Sequence, residues 1–431
     1  MFKNIVSLIV IFFVISCGHG SVSAISTGSS VFSDTVSYEM LGQVKRNVII
    51  IKDTIDLNNR NCIIPSGLIL YFEGGYVKNG TLVGNMTQLK SCRPCLKRVS
   101  IQGSWNIPII KSSLFDDLSY DNALKDVVAL SNPSIKNKIY IKKGIYKVSA
   151  LRNNDVCLAI NSNTELIIDG TIQLTPNSFR CYNIIQAEGE NIIIKGSGTI
   201  IGDKHTHTGK DGEWGMGIML KNAHNIRVTG LTIKDCWGDC MYVGDNSTNV
   251  TIDNCLMNQG RRQGISITSA VGVIIQHCEI TNVSGIAPEY AIDIEPNKNE
   301  MVDNIVIKHV KCMYCKGGFK AVSYDENAIV GSVAIRNCLI SAEKFPALKL
   351  VRCKSSVVKN NTISCVNKKS LLICKHVNRL KVMNNTLNYE CSEIKDLNII
   401  PVKTALGELS EVIEIVNCGN PILSGNKMCR K

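Results

Sequence analysis

The segment "NVTIDNCLMN", residues 249–258, decides the fold because its pattern returns along the chain. Apolar β-formers alternate with polar residues, an Asn or Gly follows where the chain must bend, and another short apolar run comes next. Related segments are "NIIIKGSGTI" (191–200), "NIRVTGLTIKD" (225–235), "GVIIQHCEITN" (272–282), "NIVIKHVKCM" (304–313), "SVAIRNCLIS" (332–341), "SVVKNNTIS" (356–364) and "RLKVMNNTLN" (379–388). Counted from Ile226, equivalent positions of the repeat fall at 226, 250, 273, 305, 333, 356 and 380, at intervals of 24, 23, 32, 28, 23 and 24 residues. The chain is therefore a repeat protein.

Each repeat also contains a second short strand. These runs are "GIML" (217–220), "CMYV" (240–243), "GISI" (264–267), "AIDI" (291–294), "ALKL" (347–350) and "LLIC" (371–374). A unit this short cannot bury its apolar face alone, but stacked coils can. The pattern closely resembles a right-handed parallel β-helix, so we expect an all-β solenoid. A short helix predicted within residues 119–132, followed by "IYIKKGIYKVS" (139–149), resembles the start of pectate-lyase-like β-helices.

The domain organisation follows from this pattern and from the N-terminus. Residues 1–16 contain a single Lys followed by an apolar stretch, and they are predicted to be a signal peptide. The ending "VISC" resembles the lipobox of bacterial lipoproteins. The resemblance implies that Cys17 is lipidated and that the protein is anchored to the outer membrane in the cell envelope. An ordinary signal peptide is the alternative. A tether over 17–45, N-terminal β coils over 46–118 and the β-helix over 119–431 complete the prediction.

Composition favours an Ile- and Val-rich β protein that binds acidic partners. The 431 residues are 45% hydrophobic but only 6% aromatic, with 33 Gly, 10 Pro and a net charge of +12. A scattered positive charge attracts polyanions, which for an exported protein means acidic polysaccharides; a merely solvated surface is the other interpretation. Of the 19 cysteines, Cys255, Cys278 and Cys338 recur at one point of the repeat. We expect them to stack as small apolar residues.

Stacking the second strands predicts a candidate site. Aligned on consecutive coils about 4.8 Å apart, the runs place Met219, Tyr242, Ser266 and Asp293 in one outward column. Thr268 and Glu295 fall in the next column. Asp239 and Gln263 occupy equivalent positions at the start of their strands, and Asp293 lies two coils from Asp239. Because Asp293 and Glu295 are neighbours, one pKa in that pair should rise.

The loop over residues 202–217 and two arginines are predicted to complete this site. Glu213 adds a carboxylate, Trp214 is suited to stacking on a sugar ring, and His207 belongs to the same loop. Arg261 and Arg262 are candidates for binding a carboxylate or sulfate through paired hydrogen bonds. The predicted acids are therefore Asp239, Asp293, Glu295 and Glu213, and the substrate-binding residues are Trp214, Arg261, Arg262, Gln263, His207 and Tyr242.

Residues 196–296 also resemble polygalacturonase-type glycoside hydrolases. "GTIIGD", "NIRVTGLTIKDCWGDC" and "GISIT" are similar to that family's G-T-I-D-G, G-D-D-C and G-H-G-I-S-I-G motifs. Asp239 falls on the second Asp of G-D-D, but Gly238 replaces the first and Gln263 replaces the His. Asp293 and Glu295 stand where the family has Arg and Lys, and Met216 stands where it has a further Asp. The resemblance implies the scaffold, with most of the catalytic set absent.

Three functions fit these observations. The first is a glycoside hydrolase acting on an acidic or complex polysaccharide, in which one carboxyl group protonates the leaving oxygen and another activates water. The second is a lyase or epimerase on a uronic-acid polymer, and the third is a non-catalytic glycan-binding β-helix. No cofactor or metal and no nucleic acid is expected, and the oligomeric state is left open.

Overall fold

The computed structural model describes residues 35–366, 371–389 and 413–430. The predicted signal peptide and the lipidation site at Cys17 lie outside these residues. Regular structure in the described part starts at Thr35, inside the range predicted as a tether. No helix among the described residues has the length and apolar character needed to cross a membrane.

The first part of the chain forms short strands and the helix. These are β1 Thr35–Val36, a 3-10 turn Tyr38–Leu41, β2 Gln43–Lys45, β3 Val48–Ile51, β4 Thr54–Asp56, β5 Asn61–Ile63, β6 Ile69–Phe72, β7 Tyr76–Lys90, β8 Leu96–Trp105, β9 Ile109–Lys111, a 3-10 turn Ser112–Leu114, β10 Phe115–Asp117 and α1 Ala123–Ala129. Helix α1 confirms the short N-terminal helix. It buries Leu124, Val127 and the two residues beside them, and it contacts β8, β12 and β13.

The coils follow as β11 to β25. Their bounds are β11 Asn137–Ile141, β12 Ile145–Val148, β13 Asp155–Ile160, β14 Thr164–Ile168, β15 Thr171–Leu174, β16 Cys181–Lys195, β17 Thr199–Ile201, β18 Trp214–Thr229, β19 Thr232–Lys234, β20 Met241–Gly244, β21 Ser247–Asp253, β22 Leu256–Asn258, β23 Ile265–Ile267, β24 Ala270–Gln276 and β25 Glu279–Thr281.

The remaining strands continue the same order. They are β26 Tyr290–Ile294, β27 Met301–Lys308, β28 Lys311–Cys315, β29 Gly317–Val322, β30 Ile329–Arg336, β31 Leu339–Ala342, β32 Leu348–Val351, β33 Cys353–Lys359, β34 Thr362–Cys365, β35 Leu372–Lys375, β36 Arg379–Met383, β37 Thr386–Tyr389, β38 Ile413–Val416, β39 Ile422–Ser424 and β40 Lys427–Arg430.

These strands form three parallel sheets that wind around one core. Sheet A carries the predicted site and runs through the first halves of β16 and β18, then β20, β23, β26, β29, β32, β35 and β38. Sheet B runs through their second halves and then β21, β24, β27, β30, β33, β36 and β39. Sheet C runs from β12 to β40. Strands β1–β8 and β10 make separate pairings before the coils.

Side chains at equivalent inward positions of successive coils stack on one another and fill the core. In sheet A the stack contains Ile218, Met241, Ile265, Ile292, Phe319, Leu348 and Leu372, all at most 1% exposed. Fully burying a side chain of this kind contributes roughly 1.5–3 kcal/mol. Successive coils therefore stabilise one another, as the repeat requires.

A second stack satisfies the backbone at the bend before sheet C. Asn361 and Asn385 are buried there, and each side chain donates to a carbonyl of the preceding coil. The Asn385 Oδ1 also accepts from the backbone nitrogen of Asn361 at 2.9 Å. Earlier coils place Cys255, Cys278 and Cys338 at the same point, where they are buried free thiols. Their predicted role as stacked small residues is confirmed.

Candidate functional site

The predicted outward column is confirmed by the strand register of sheet A. Met219 pairs with Tyr242, Tyr242 with Ser266, and Ser266 with Asp293. The column continues one coil further, from Asp293 to Lys320. The alternation that sends the neighbouring Ile residues inward thus aligns polar side chains on the outer wall of the sheet.

Asp239 lies two residues before β20 and is completely buried. Its Oδ2 accepts from the Ser266 hydroxyl at 2.6 Å, and both of its oxygens face the guanidinium of Arg262, with Nη1 3.2 Å from Oδ2. Burial raises the pKa of Asp239 to about 6, against the opposing effect of Arg262. The group is therefore a carboxyl that changes charge close to neutral pH.

Asp293 faces outward from β26 and is 3% exposed. Its Oδ2 lies 2.9 Å from the Lys320 ammonium and also accepts from the Gln263 amide, whose oxygen in turn accepts from the Tyr290 backbone nitrogen. Burial raises the pKa of Asp293, and the nearby Glu295 adds to the rise, as predicted for this pair. Within the described residues its Oδ1 is buried without a hydrogen-bond partner.

Partly exposed acids lie at both ends of this buried cluster. Glu213 reaches the Nε of Arg262 at 3.3 Å, and Glu295 contacts the Lys320 ammonium at 2.5 Å. Four carboxylates thus share two cations. Although burial disfavours their charged forms, Asp239 and Asp293 raise the pKa of Arg262 and Lys320 respectively, so both cations stay charged.

A groove of about 320 Å³ lies on sheet A over β16, β18 and β20, and its lining does not include the four acids. Trp214, which is 44% exposed, forms part of its wall together with Met219 and Tyr242. The Tyr242 hydroxyl is held by Thr268 at 2.7 Å. Asn183 and Gln186 contribute polar groups. An exposed indole beside amide side chains is a surface suited to a sugar ring.

Two residues predicted to bind substrate are instead packed into the wall, which corrects their placement. The His207 side chain is fully buried, its Nδ1 lies 2.8 Å from Asp203, and its ring stacks on Trp237 with centroids 3.8 Å apart. Arg261 covers the other side of that tryptophan at 3.6 Å and donates to the carbonyl of Gly212. The His207 side chain is therefore closed to a ligand, whereas the partly exposed Arg261 is held by stacking and a hydrogen bond. Of the two arginines, Arg262 is the one that forms ion pairs with the acids in the described part of the chain.

Gly238 explains why the first acid of the G-D-D motif is missing. A Cβ at this position would lie 2.5 Å from the backbone oxygen of Glu213 and 2.8 Å from the nitrogen of Gly215. The loop that brings Glu213 to Arg262 therefore occupies the space of a side chain at 238. Within the described residues no group of three His, Cys, Asp or Glu side chains is placed to hold a metal ion.

Sequence reasoning missed Lys320 as a site residue. Its strand, β29 Gly317–Val322, continues the register of the earlier runs by one coil, so counting one repeat further would have found it. The run "GGFKAV" (317–322) has no acid to draw attention to it. The partnership of Ser266 with Asp239 was likewise not predicted, because the two residues are three positions apart in the register of adjacent coils.

Residues 144–295 match the family model described as the right-handed β-helix region. The fold is a right-handed parallel β-helix. This confirms the predicted fold, and the matched region contains the whole candidate site except Lys320.

The chain is also similar to individual proteins. It is 30% identical over 162 residues to the SPbeta prophage-derived uncharacterized protein YorA of Bacillus subtilis, covering 32% of this chain and 28% of that protein. The chain thus spans under a third of that relative's length. A hyperthermoactive exopolygalacturonase from Thermotoga maritima is 12% identical, with a TM-score of 0.46, covering 74% of this chain and 92% of that one. The A-module of the Azotobacter vinelandii mannuronan C-5 epimerase AlgE4 is 11% identical, with a TM-score of 0.48, covering 74% and 97%.

Proposed function

We propose that the protein is a glycoside hydrolase that acts on an acidic polysaccharide at the outer wall of sheet A. The observation that supports it best is the pair of buried carboxyl groups, Asp239 and Asp293, on the sheet that also carries a groove with an exposed tryptophan. Paired carboxyl groups can serve as acid and base when their surroundings separate their roles.

In this proposal Asp239 is the general acid. With its pKa raised to about 6 by burial, it is protonated in mildly acidic solution, and Ser266 fixes the orientation of its carboxyl group. A proton held on such a group can pass to the glycosidic oxygen as the bond to the sugar breaks.

Asp293 is the proposed base. Lys320 and Gln263 hold its Oδ2, whereas Oδ1 is buried and has no hydrogen-bond partner among the described residues. A water molecule bound to Oδ1 would donate one proton to the carboxylate and attack the anomeric carbon with its oxygen. Burial without a partner costs free energy, and a bound water relieves that cost.

Arg262 gives the preference for acidic substrates. Its guanidinium now bridges Asp239 and Glu213, and its side chain is 21% exposed. A uronate carboxylate can compete for the same donors through paired hydrogen bonds. Withdrawing Arg262 from Asp239 removes a charge that lowers the Asp239 pKa, so substrate binding would favour the protonated acid.

The test is product analysis after incubation with a panel of acidic and neutral polysaccharides. Asp239→Asn and Asp293→Asn should each reduce turnover by about 10²–10⁴-fold, the contribution of general acid or base catalysis. Glu279→Gln is the matched control. This acid lies between Gln263 and Asp293 in the chain, but its strand, β25, belongs to sheet C and not to the sheet that carries the site. Turnover at the wild-type rate in both site variants would refute the assignment.

The products also separate the alternatives. New ultraviolet absorbance from an unsaturated uronate would identify a lyase, and a changed uronate configuration without chain cleavage would identify an epimerase. Binding without any product would identify a glycan-binding protein.

We further propose that the protein is exported and lipid-anchored through Cys17. Labelled palmitate should enter the wild-type chain in bacterial cells and be absent from Cys17→Ser. Equal labelling of the two chains would refute the anchor.

A further inference from the structure

Sheet B carries a row of three cations on consecutive coils. Lys308 pairs in register with Arg336, and Arg336 with Lys359. Each follows a buried residue and points outward, and Arg336 is exposed. The three charges therefore recur along the axis of the solenoid about every 4.8 Å.

These cations have no ion-pair partner in the described part of the chain. Among residues 35–366, 371–389 and 413–430, no acidic side chain forms an ion pair with any of the three. Earlier coils of the same sheet differ, because Arg227 lies 2.7 Å from Asp253. Asp253 is in register with Gln276 on the next coil, and Gln276 is in register with Lys308. The sheet therefore changes from paired charges to an unpaired positive row.

An aliphatic row lies directly beside the cations. Val306 pairs with Ala334, and Ala334 with Val357, and all three are partly exposed. Neither row contains an aromatic side chain. Single-stranded nucleic acid is bound mainly by stacking of bases on aromatic rings, which these rows do not offer. Small aliphatic groups give a flat surface on which the C–H face of a sugar can rest.

We propose that these six residues, the basic strip, bind a linear acidic polysaccharide that lies along the solenoid axis. A polymer of uronic acids presents a carboxylate on every sugar, and the strip presents a cation on every coil. Because the strip lies on sheet B and the acids lie on sheet A, the strip needs no chemistry at Asp239. Its role is to hold the polymer on the protein. The proposal therefore stands apart from the hydrolase assignment.

The experiment measures binding of polygalacturonate by isothermal calorimetry at low and moderate salt. The triple variant Lys308→Gln, Arg336→Gln, Lys359→Gln should bind about tenfold more weakly. This figure assigns to each lost contact a free energy near the middle of the range measured for exposed ion pairs. Its affinity should also depend less on salt. The control is Lys142→Gln, Lys143→Gln, Lys147→Gln, which removes the same charge from exposed lysines near β12 and should bind like wild type.

Chain length and polymer type sharpen the test. Tri- and longer oligogalacturonides should bind through the strip, whereas galacturonate monomer and neutral dextran should not. Equal affinity of wild type and the strip variant, equal weakening by the control, or no binding by wild type would each overturn the proposal. Tighter strip-dependent binding of oligo(dT) than of polygalacturonate would replace the polysaccharide by nucleic acid as the occupant.

Failure here is distinguishable from failure of the proposed function. Asp239→Asn should keep wild-type affinity for polygalacturonate at the strip, and the strip variant should keep the wild-type rate on a substrate too short to span three coils. A strip variant that loses this rate equally would show that the two surfaces act as one site and would refute their independence.

Discussion

Replacing Asp239 by Asn should make the protein's stability less dependent on pH. Burial raises the pKa of this carboxyl from its ordinary 3.8 to about 6 in the folded protein. The folded state therefore holds the proton more tightly than the unfolded chain does, and ionising Asp239 in the folded state costs free energy. Its contribution to stability is complete below pH 3.8 and is lost as the pH rises through about 6.

The magnitude follows from the size of the shift. A shift of about two pKa units corresponds to roughly 3 kcal/mol, of which about 2–3 kcal/mol is lost between pH 4 and pH 7. Asn cannot ionise, so Asp239→Asn lacks this loss. The free energy of unfolding of the variant minus that of wild type should therefore rise by about 2–3 kcal/mol over that interval.

Urea unfolding of both proteins, followed by circular dichroism at pH 4, 5, 6 and 7, measures this difference. Asp303→Asn is a control of opposite sign: although burial opposes it, hydrogen bonds from Ser332 and Asn304 lower the pKa of Asp303. The stability that Asp303 contributes is present above its unfolded pKa of 3.8 and is lost as the pH falls below it, so the destabilisation by this variant should stay nearly constant from pH 4 to pH 7 and shrink only at lower pH. A pH-independent difference for Asp239→Asn, or one that falls with pH, would refute the reasoning.

Other perturbations test the packing around the site. Lys320→Met should destabilise the fold by about 3–5 kcal/mol at pH 7, because it leaves the buried Asp293 charge without its cation. Adding Asp293→Asn should restore much of the lost stability, as measured by urea unfolding. Equal stability of the single and double variants would argue against the ion pair. Asn385→Ala should cost about 2–3 kcal/mol by leaving the buried Asn361 nitrogen unsatisfied, whereas Thr386→Ala should cost far less. Trp214→Ala should weaken binding of oligosaccharide in calorimetry with an unchanged unfolding midpoint, since its indole is 44% exposed; unaltered affinity would exclude the groove as the sugar site.

The column on sheet A was predictable because two periodicities fix it. Alternation along each strand decides which side chains point outward, and the repeat length decides which residues pair on adjacent coils. Tyr242, Ser266 and Asp293 therefore aligned as expected. Lys320 follows the same rule and was missed only because its run was not aligned.

The environment of that column was not predictable. The sequence pattern treats an outward position as solvent-exposed, yet Asp239 and Asp293 are buried under side chains from bends and neighbouring coils. The same packing turned His207 and Arg261 into the two faces of a stack around Trp237. Contacts between residues so far apart in the chain depend on how loops fold over the sheet, for which no local period exists.

The repeat by itself determined the solenoid and the alignment of side chains along its axis, because stacking is the only way for such short units to bury their apolar faces. Tertiary structure decided which of the aligned acids are buried, which cation each one meets and how far its pKa moves. Those properties depend on distance and on exclusion of water in three dimensions, which the spacing of residues along a chain does not contain.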